Sequence, residues 1–293
     1  MDQHPFSSRD LARALAVIVI WGLNFVAMKL ALHDFTPFQL GALRYTFAVL
    51  PLVFFIRAPR LPWQWVVLYG LLQGVAQFGL LFTALKVGMG AALASVLMQT
   101  HVFFTALFGF VLLHERMSRP LVGALILAAL GLGCFGMTFV AGSSGSATIA
   151  GFALTLCAAA MWAGSNIVAR KAQQSSPQFD PMQFLVWSSL VPVVPFLLMS
   201  LLFDPNPVLR EMSWLSSDKW LSIPWTTWLA GAYLGWVATI WAYAMWIGLL
   251  KRHPANRVAP FSLGVPVVGL AAGMLALGET VTAWPWVGIA LVI

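Results

Sequence analysis

The groups in this chain that could do chemistry are polar side chains set inside apolar runs. Asn24 lies in the run "WGLNFVAMK" (Trp21–Lys29), three residues after Trp21 and so on the same helical face; Trp162 and Asn166 make a similar pair at a spacing of four. Arg44 follows Pro37 by seven residues, about 10 Å along a helix. An arginine at that depth needs a partner, either a substrate carboxylate or carbonyls at a helix end. Tyr69, Gln73 and Gln77 recur every fourth residue, a stripe on which two neutral amides could bind an amine and a carboxylate without burying a charge. Trp236, Thr239 and Tyr243 share another face, an aromatic wall. Ser95 and Gln99 share a third, whereas Gln99 and His101 stand about 200° apart around an α-helix and are expected to point to different places. His101 could carry a proton near neutral pH or serve as a satisfied structural residue. The two asparagines have a second reading as well, as hydrogen-bonded glue between helices.

The acidic residues tell by position. Asp2, Asp10, Asp34, Glu115, Asp180, Asp204, Glu211, Asp218 and Glu279 all fall in tails, loops or helix ends, so no mid-span carboxylate is available as a proton or sodium relay. Glu115 and Glu279 precede Ser118 and Thr282, helix-capping types, and read as structural junction residues. There is no HExxH, GxSxG or grouped His/Asp pattern, which argues against a membrane-embedded enzyme, and no metal or cofactor motif. Cys134 and Cys157 sit inside apolar runs and point to neither a disulfide framework nor a metal site.

The elements that must position these groups follow from composition. Of 293 residues 60% are hydrophobic and 9% charged, with a mean hydropathy of +0.87. That is too little charge to cover a soluble globule, so the chain is expected to be an all-α integral membrane protein surrounded by lipid. Crossing the bilayer takes roughly 20 apolar residues. Apolar runs predict spans near 11–32, 37–56, 63–85, 89–113, 118–140, 147–169, 181–203, 225–250 and 254–277, with a tenth starting near Thr282 and expected to be truncated at Ile293. No cleavage pattern follows the polar start, so the first span is expected to be retained. With a cytoplasmic N-terminus, the inner segments hold Arg9, Arg13, Arg57, Arg60, Arg116, Arg119, Arg170, Lys171, Lys251, Arg252 and Arg257, against Lys29, Lys86, Arg210 and Lys219 outside. That bias predicts N-in topology and accounts for the net charge of +7 without a nucleic-acid partner.

The chain is also duplicated. "NIVARK" (Asn166–Lys171) repeats the Asn-x-Val-Ala-x-Lys pattern of Asn24–Lys29, and Pro37, Gln39 and Pro51 return as Pro181, Gln183 and Pro195. "LHE" ending at Glu115 returns as "LGE" ending at Glu279, the longer offset being taken up by a polar outer loop near 204–224, flanked and filled by tryptophans that suit an interface. Five helices per copy is an odd number, so the second copy enters the membrane from the opposite side. Two inverted repeats are predicted, residues 1–140 and 141–293, an arrangement common in transporters.

"WGLNF", "GALRY" (Gly41–Tyr45), "FFTALFGFVLLHERMS" (Phe103–Ser118) and "LGETVT" (Leu277–Thr282) resemble the EamA-type transporters of the drug/metabolite transporter superfamily, and "WGLNFVAMKLAL" is similar to its bacterial cysteine and O-acetylserine exporters. One departure is that Pro266 in the second half answers to Val102 in the first, so a proline kink beside His101 is not expected. The resemblance implies a multi-pass protein of the bacterial inner membrane, not an enzyme, exporting amino acids or related small metabolites. A zwitterionic amino acid is the expected partner, with membrane lipids around a monomer and no cofactor. Broad-specificity drug or metabolite efflux, and more remotely a channel or lipid scramblase, stand as alternatives. Trp21, Asn24, Arg44, Gln73, Gln77, Gln99, Trp162, Asn166, Trp236 and Tyr243 are the candidate substrate-binding residues, with His101 a possible proton site.

Overall fold

The computed structural model describes residues 7–113, 147–204, 222–253, 258, 261–262 and 264–281, with scattered positions between 122 and 137 and at 286, 287 and 290. Glu115, Ser118 and Thr282, most of the predicted 118–140 span and the tenth span, and the loop at 205–221 lie outside the described residues. Eight continuous helices stand among those described: α1 Ser8–Asp34, α2 Pro37–Val49, α3 Trp63–Lys86, α4 Ala91–Leu112, α5 Ile149–Ser175, α6 Pro181–Phe203, α7 Trp225–Leu249 and α8 Gly264–Leu277. Six of them, all but α2 and α8, are long and apolar enough to cross a membrane.

Local chemistry sets the helix starts. Thr36 caps α2 in a full capping box with Gln39, with Pro37 in the first turn; Asp180 caps α6 by accepting from Met182 N and Gln183 N, with Pro181 in its first turn, and Thr148 caps α5. The predicted 37–56 span is shorter than expected. Helix α2 ends at Val49 because Pro51 disfavours helical backbone at Leu50, and a 3₁₀ turn at Leu52–Phe54 follows. Helix α5 runs six residues past the predicted 169, to Ser175.

Close packing uses small residues. A Cβ on Gly74 would come within 1.9 Å of Pro192 on α6, and one on Gly235 within 2.4 Å of Phe47 and 2.8 Å of the Arg44 carbonyl on α2. Thus α3 packs on α6, and α7 on α2, through matching glycine pairs (Gly70 and Gly74, Gly231 and Gly235). Helix α8 packs between α1 and α4, where Gly22 faces Val268 and Gly269 faces Ser95; α4 packs on α5.

Burial is arranged as lipid requires. Leu275 is 87% exposed, Phe54 78% and Leu202 74%, while Asn24, Arg44, Gln77, Gln99 and Thr239 are buried. A surface of large apolar side chains, with polar groups held inside an otherwise apolar interior, is stable where the surrounding medium is itself apolar.

Three helices depart from α-geometry, and each departure falls near the polar interior. Helix α3 carries a π segment at Gly70–Phe78, α7 carries one at Tyr233–Trp241, and α4 tightens to 3₁₀ at Met98–Thr100. The departure beside His101 is that 3₁₀ turn, formed without a proline.

Candidate functional site

A central cavity of about 280 Å³ is bordered by α1, α2, α3, α4, α5, α7 and Ser262 and Val265 at the start of α8. Trp21, Asn24, Arg44, Gln77, Gln99, His101, Trp162, Asn166 and Tyr243 all line it, so residues from most of the chain's length meet at one place. Phase explains two departures. Gln73 does not line this cavity: it is buried on the α5 side, its Oε1 accepting from Ser165 Oγ. Trp236 is also elsewhere. It is 47% exposed, packs edge-on against Phe47 at 5.0 Å and donates from Nε1 to the Leu50 carbonyl at 2.9 Å. Both residues lie in the π segments, where i→i+5 bonding widens the turn, so residues four apart fall short of a full turn and α-helical stripes break up.

His101 is the converse case. It shares the cavity with Gln99 because the intervening backbone is 3₁₀, which turns about 120° per residue and brings the pair closer in azimuth than an α-helix would. Its Nδ1 donates to the Met98 carbonyl at 2.9 Å, and its ring stacks on Trp162 with centroids 3.7 Å apart and planes 10° apart. Asn166 Nδ2 donates to Thr105 Oγ1 at 3.2 Å, and Gln99 Nε2 to the Ser262 carbonyl at 3.1 Å.

Arg44 is the centre of the arrangement. It is 3% exposed; Nη1 reaches Asn24 Oδ1 at 3.4 Å and Nη2 donates to Thr239 Oγ1 at 3.1 Å. Thr239 can accept because its own hydroxyl proton goes to the Leu234 carbonyl, 2.8 Å away. The guanidinium carbon stands 3.9 Å from the centre of the Phe78 ring, a cation–π contact. Arg44 Nε is buried with no partner among the described residues, as is Gln77 Oε1. No described carboxylate neutralises this arginine. Asp10 pairs with Arg13, Arg252 and His253, and Asp34 with His33 and Thr227. Asp180 caps α6, Asp204 bonds Thr36 and Ser200, and Glu279 binds the start of α4.

Phe78 and Thr239, which flank the guanidinium, come from the two π segments, and Tyr69 borders the cavity from just before the first of them. Sequence reasoning left these three out of the candidate set. Tyr69 and Thr239 stand on stripes that the spacing identified, with Gln77 and with Tyr243, but spacing alone does not mark a member as cavity-facing; Phe78, an aromatic in an apolar span, looks the same whether it faces lipid or a cavity. Trp21 adds a wall, 5.1 Å from Tyr243 and 5.4 Å from Trp246.

The two ends of the bundle differ. At the α1 C-terminal end, Lys29 Nζ donates to the Leu85 and Met89 carbonyls at 2.7 and 3.0 Å, Lys86 to the Leu32 carbonyl, and Glu279 accepts from Ala91 N and Ala92 N at 2.7 and 2.8 Å. Lys29, expected on the outer side, is thus committed to carbonyls at the end of α3 and in the turn after it, and Glu279 caps α4 across the bundle. At the other end Asp10 ties α1 to α7 through Arg252 (2.9 Å) and His253 (3.0 Å), but a second cavity of about 320 Å³ adjoins the first at Tyr69, Asn166 and Tyr243 and runs towards Arg170 and Gln173.

The same chain organisation is seen in known proteins. The model of the EamA-like transporter family matches residues 11–143 and again 149–293. A protein of Salmonella typhimurium named "Probable amino-acid metabolite efflux pump" is 40% identical over 288 residues, covering 98% of this chain and 93% of the relative. An Escherichia coli protein of the same name is 38% identical over 288 residues with the same coverage, and an uncharacterized transporter of Bacillus subtilis is 24% identical over 281, covering 92% of this chain and 88% of its own. A solved chain known only as a crystal structure of a protein shares the fold, with TM-score 0.57 and 21% identity over 98% of this chain and 94% of its own. With a doubled family match over nearly the whole length, apolar spans around a polar cavity, and relatives in bacteria, the chain is a multi-pass protein of the bacterial inner membrane and belongs to the EamA-like transporter family.

Proposed function

We propose that the protein exports amino acids or related small metabolites, of the cysteine and O-acetylserine type, by alternating access. The observation that carries this reading is the central cavity with Arg44 buried in its wall and no described carboxylate to neutralise it. A substrate carboxylate completes the guanidinium, the free Gln77 Oε1 accepts from the substrate ammonium, and the rings of Trp21, Trp162 and Tyr243 enclose the side chain. A volume of about 280 Å³ accommodates a small amino acid, and the adjoining space of about 320 Å³ continues it towards Arg170. The names of the Salmonella and Escherichia relatives agree with the direction and the substrate class.

The architecture in this proposal is ten helices in two inverted repeats, 1–140 and 141–293, with the N-terminus in the cytoplasm. The doubled family match supports the duplication. So does the packing: exchanging α1–α4 with α5–α8 in order converts the α2–α7 contact into the α6–α3 contact and the α1–α8 contact into the α5–α4 contact. The lysine and arginine bias supports the orientation. In that frame the cavity extends to the cytoplasmic side through the Arg170 end, while the Lys29, Lys86 and Glu279 contacts close the outer side.

The test is counterflow of labelled amino acids in proteoliposomes, comparing cysteine with cysteamine, which lacks the carboxylate. A charge-assisted contact of about 1.5–3 kcal/mol predicts a preference for cysteine on the order of 10–100-fold, reduced in Arg44→Gln. Flux that rises linearly with concentration, or equal flux for both compounds, would sink the proposal.

A further inference from the structure

An alternating-access carrier must pass through stages with no substrate bound, and Arg44 is present in all of them. Its contacts with Asn24, Thr239 and Phe78 are to neutral groups, which disperse the guanidinium charge without cancelling it. In a medium of low dielectric a buried cation left in that state is costly. Two further residues with hydroxyl donors share its cavities. Tyr69 and Tyr243 border the central cavity with Arg44, and all three also border a small cavity of about 20 Å³ on the side of Ser188 and Ser189. Neither tyrosine hydroxyl makes a hydrogen bond among the described residues. A space of about 20 Å³ admits a water or a monatomic ion and nothing larger.

We infer that Arg44, Tyr69 and Tyr243 form a site for a small inorganic anion, chloride in a cell, which occupies the substrate-free carrier and is displaced by the carboxylate of the arriving amino acid. This rests on the reading of Arg44 as the group that meets the transported carboxylate. One buried cation with two hydroxyl donors beside it suits a spherical monoanion, and the aromatic walls disfavour a strongly hydrated divalent one. Chloride then competes with substrate, and the carrier returns with an anion in place of the amino acid, so that Arg44 is neutralised on both legs of the cycle.

The experiment uses the purified full chain, with tryptophan fluorescence as the signal, since Trp21 stands 5.1 Å from Tyr243. Potassium chloride is titrated at ionic strength held constant with potassium sulfate, and cysteine binding is measured at each chloride concentration. Wild type should show a saturable response to chloride, and the apparent cysteine Kd should double when chloride reaches its own Kd. Both effects should vanish in Arg44→Gln and weaken several-fold in Tyr243→Phe, which keeps the ring and serves if the arginine variant fails to fold. No saturable response in wild type, or an equal response in Tyr243→Phe, overturns the anion site. If chloride is without effect while Arg44→Gln abolishes cysteine binding in sulfate, the anion site falls and the carboxylate reading stands. If Arg44→Gln binds cysteine as wild type does, the carboxylate reading falls with it.

Discussion

Glu279→Gln tests whether the long-range cap on α4 is structural. The carboxylate accepts from Ala91 N at 2.7 Å and from Ala92 N at 2.8 Å, two of the donors that a helix start leaves without partners in its own helix. It is delivered there by Gly278, whose φ of +64° turns the chain back at the end of α8. In the turn between α3 and α4, which Glu279 meets, Gly88 has φ +110° and Lys29 Nζ binds the Leu85 and Met89 carbonyls at the end of α3 and in the turn itself. Replacing the carboxylate by an amide keeps one acceptor, sets an NH₂ against a backbone N–H, and removes the charge from the positive end of the helix. A hydrogen bond to a charged group contributes about 1.5–3 kcal/mol and the charge–dipole interaction about 0.3–1 kcal/mol, so the loss is about 2–4 kcal/mol. Reversible unfolding in mixed micelles should show that loss, with a lower folded yield, while flux per folded molecule in proteoliposomes stays within about twofold of wild type. Normal unfolding with flux reduced tenfold would refute the reasoning and make Glu279 a working part of transport.

The two glutamines of helix α3 should separate. Gln73→Leu leaves Ser165 Oγ to its alternative acceptor, the Trp162 carbonyl, and should cost about 1–3 kcal/mol of stability with little change in apparent affinity; Gln77→Leu should weaken substrate binding at nearly unchanged stability, and the reverse pattern in a melting and counterflow comparison would contradict the cavity's lining. Gly235→Ala forces a methyl to within 2.4 Å of Phe47 Cβ and 2.8 Å of the Arg44 carbonyl; it should destabilise by about 1–3 kcal/mol and weaken binding through displacement of Arg44, and a variant with wild-type melting and affinity would show that α2 and α7 are free to part. For orientation, a cysteine at His33 should label with an impermeant maleimide in intact cells and one at Gln174 only after permeabilisation, both positions being exposed and at opposite ends of the bundle; the opposite result reverses the proposed topology.

Much of the site was legible in the sequence because lipid gives a polar side chain few places to go. Asn24, Arg44, Gln77, Gln99 and Asn166 stand out of apolar runs, and the structure sets all five around one cavity. The asparagine of "WGLNFVAMK" has its explanation there: its amide oxygen faces Arg44 across 3.4 Å. What the sequence could not disclose was helical phase at the departures from α-geometry. An i, i+4 rule assumes 3.6 residues per turn. It therefore placed Gln73 and Trp236 in the cavity and set His101 apart from Gln99, all within or beside π or 3₁₀ segments. Nor could spacing reveal that Glu279 caps a helix 188 residues away.

The positions of those departures bear on how Arg44 is held. A π segment lengthens the helical turn and frees backbone groups that a regular helix would consume. In α7 the Leu234 carbonyl takes the Thr239 hydroxyl proton across five residues, which leaves the threonine oxygen as an acceptor for Arg44. In α3 the matching segment ends at Phe78, whose ring face meets the same guanidinium. Each π segment thus supplies one neutral, electron-rich surface to the buried cation, and each is packed through a glycine pair onto α6 or α2, the helix that carries Arg44 being one of them. Straightening either segment to a regular helix would rotate its contact away from Arg44. The guanidinium position and the backbone irregularity therefore support one another, and under the proposed alternating access a shift of α3 or α7 would change how much of the arginine's charge remains for a carboxylate.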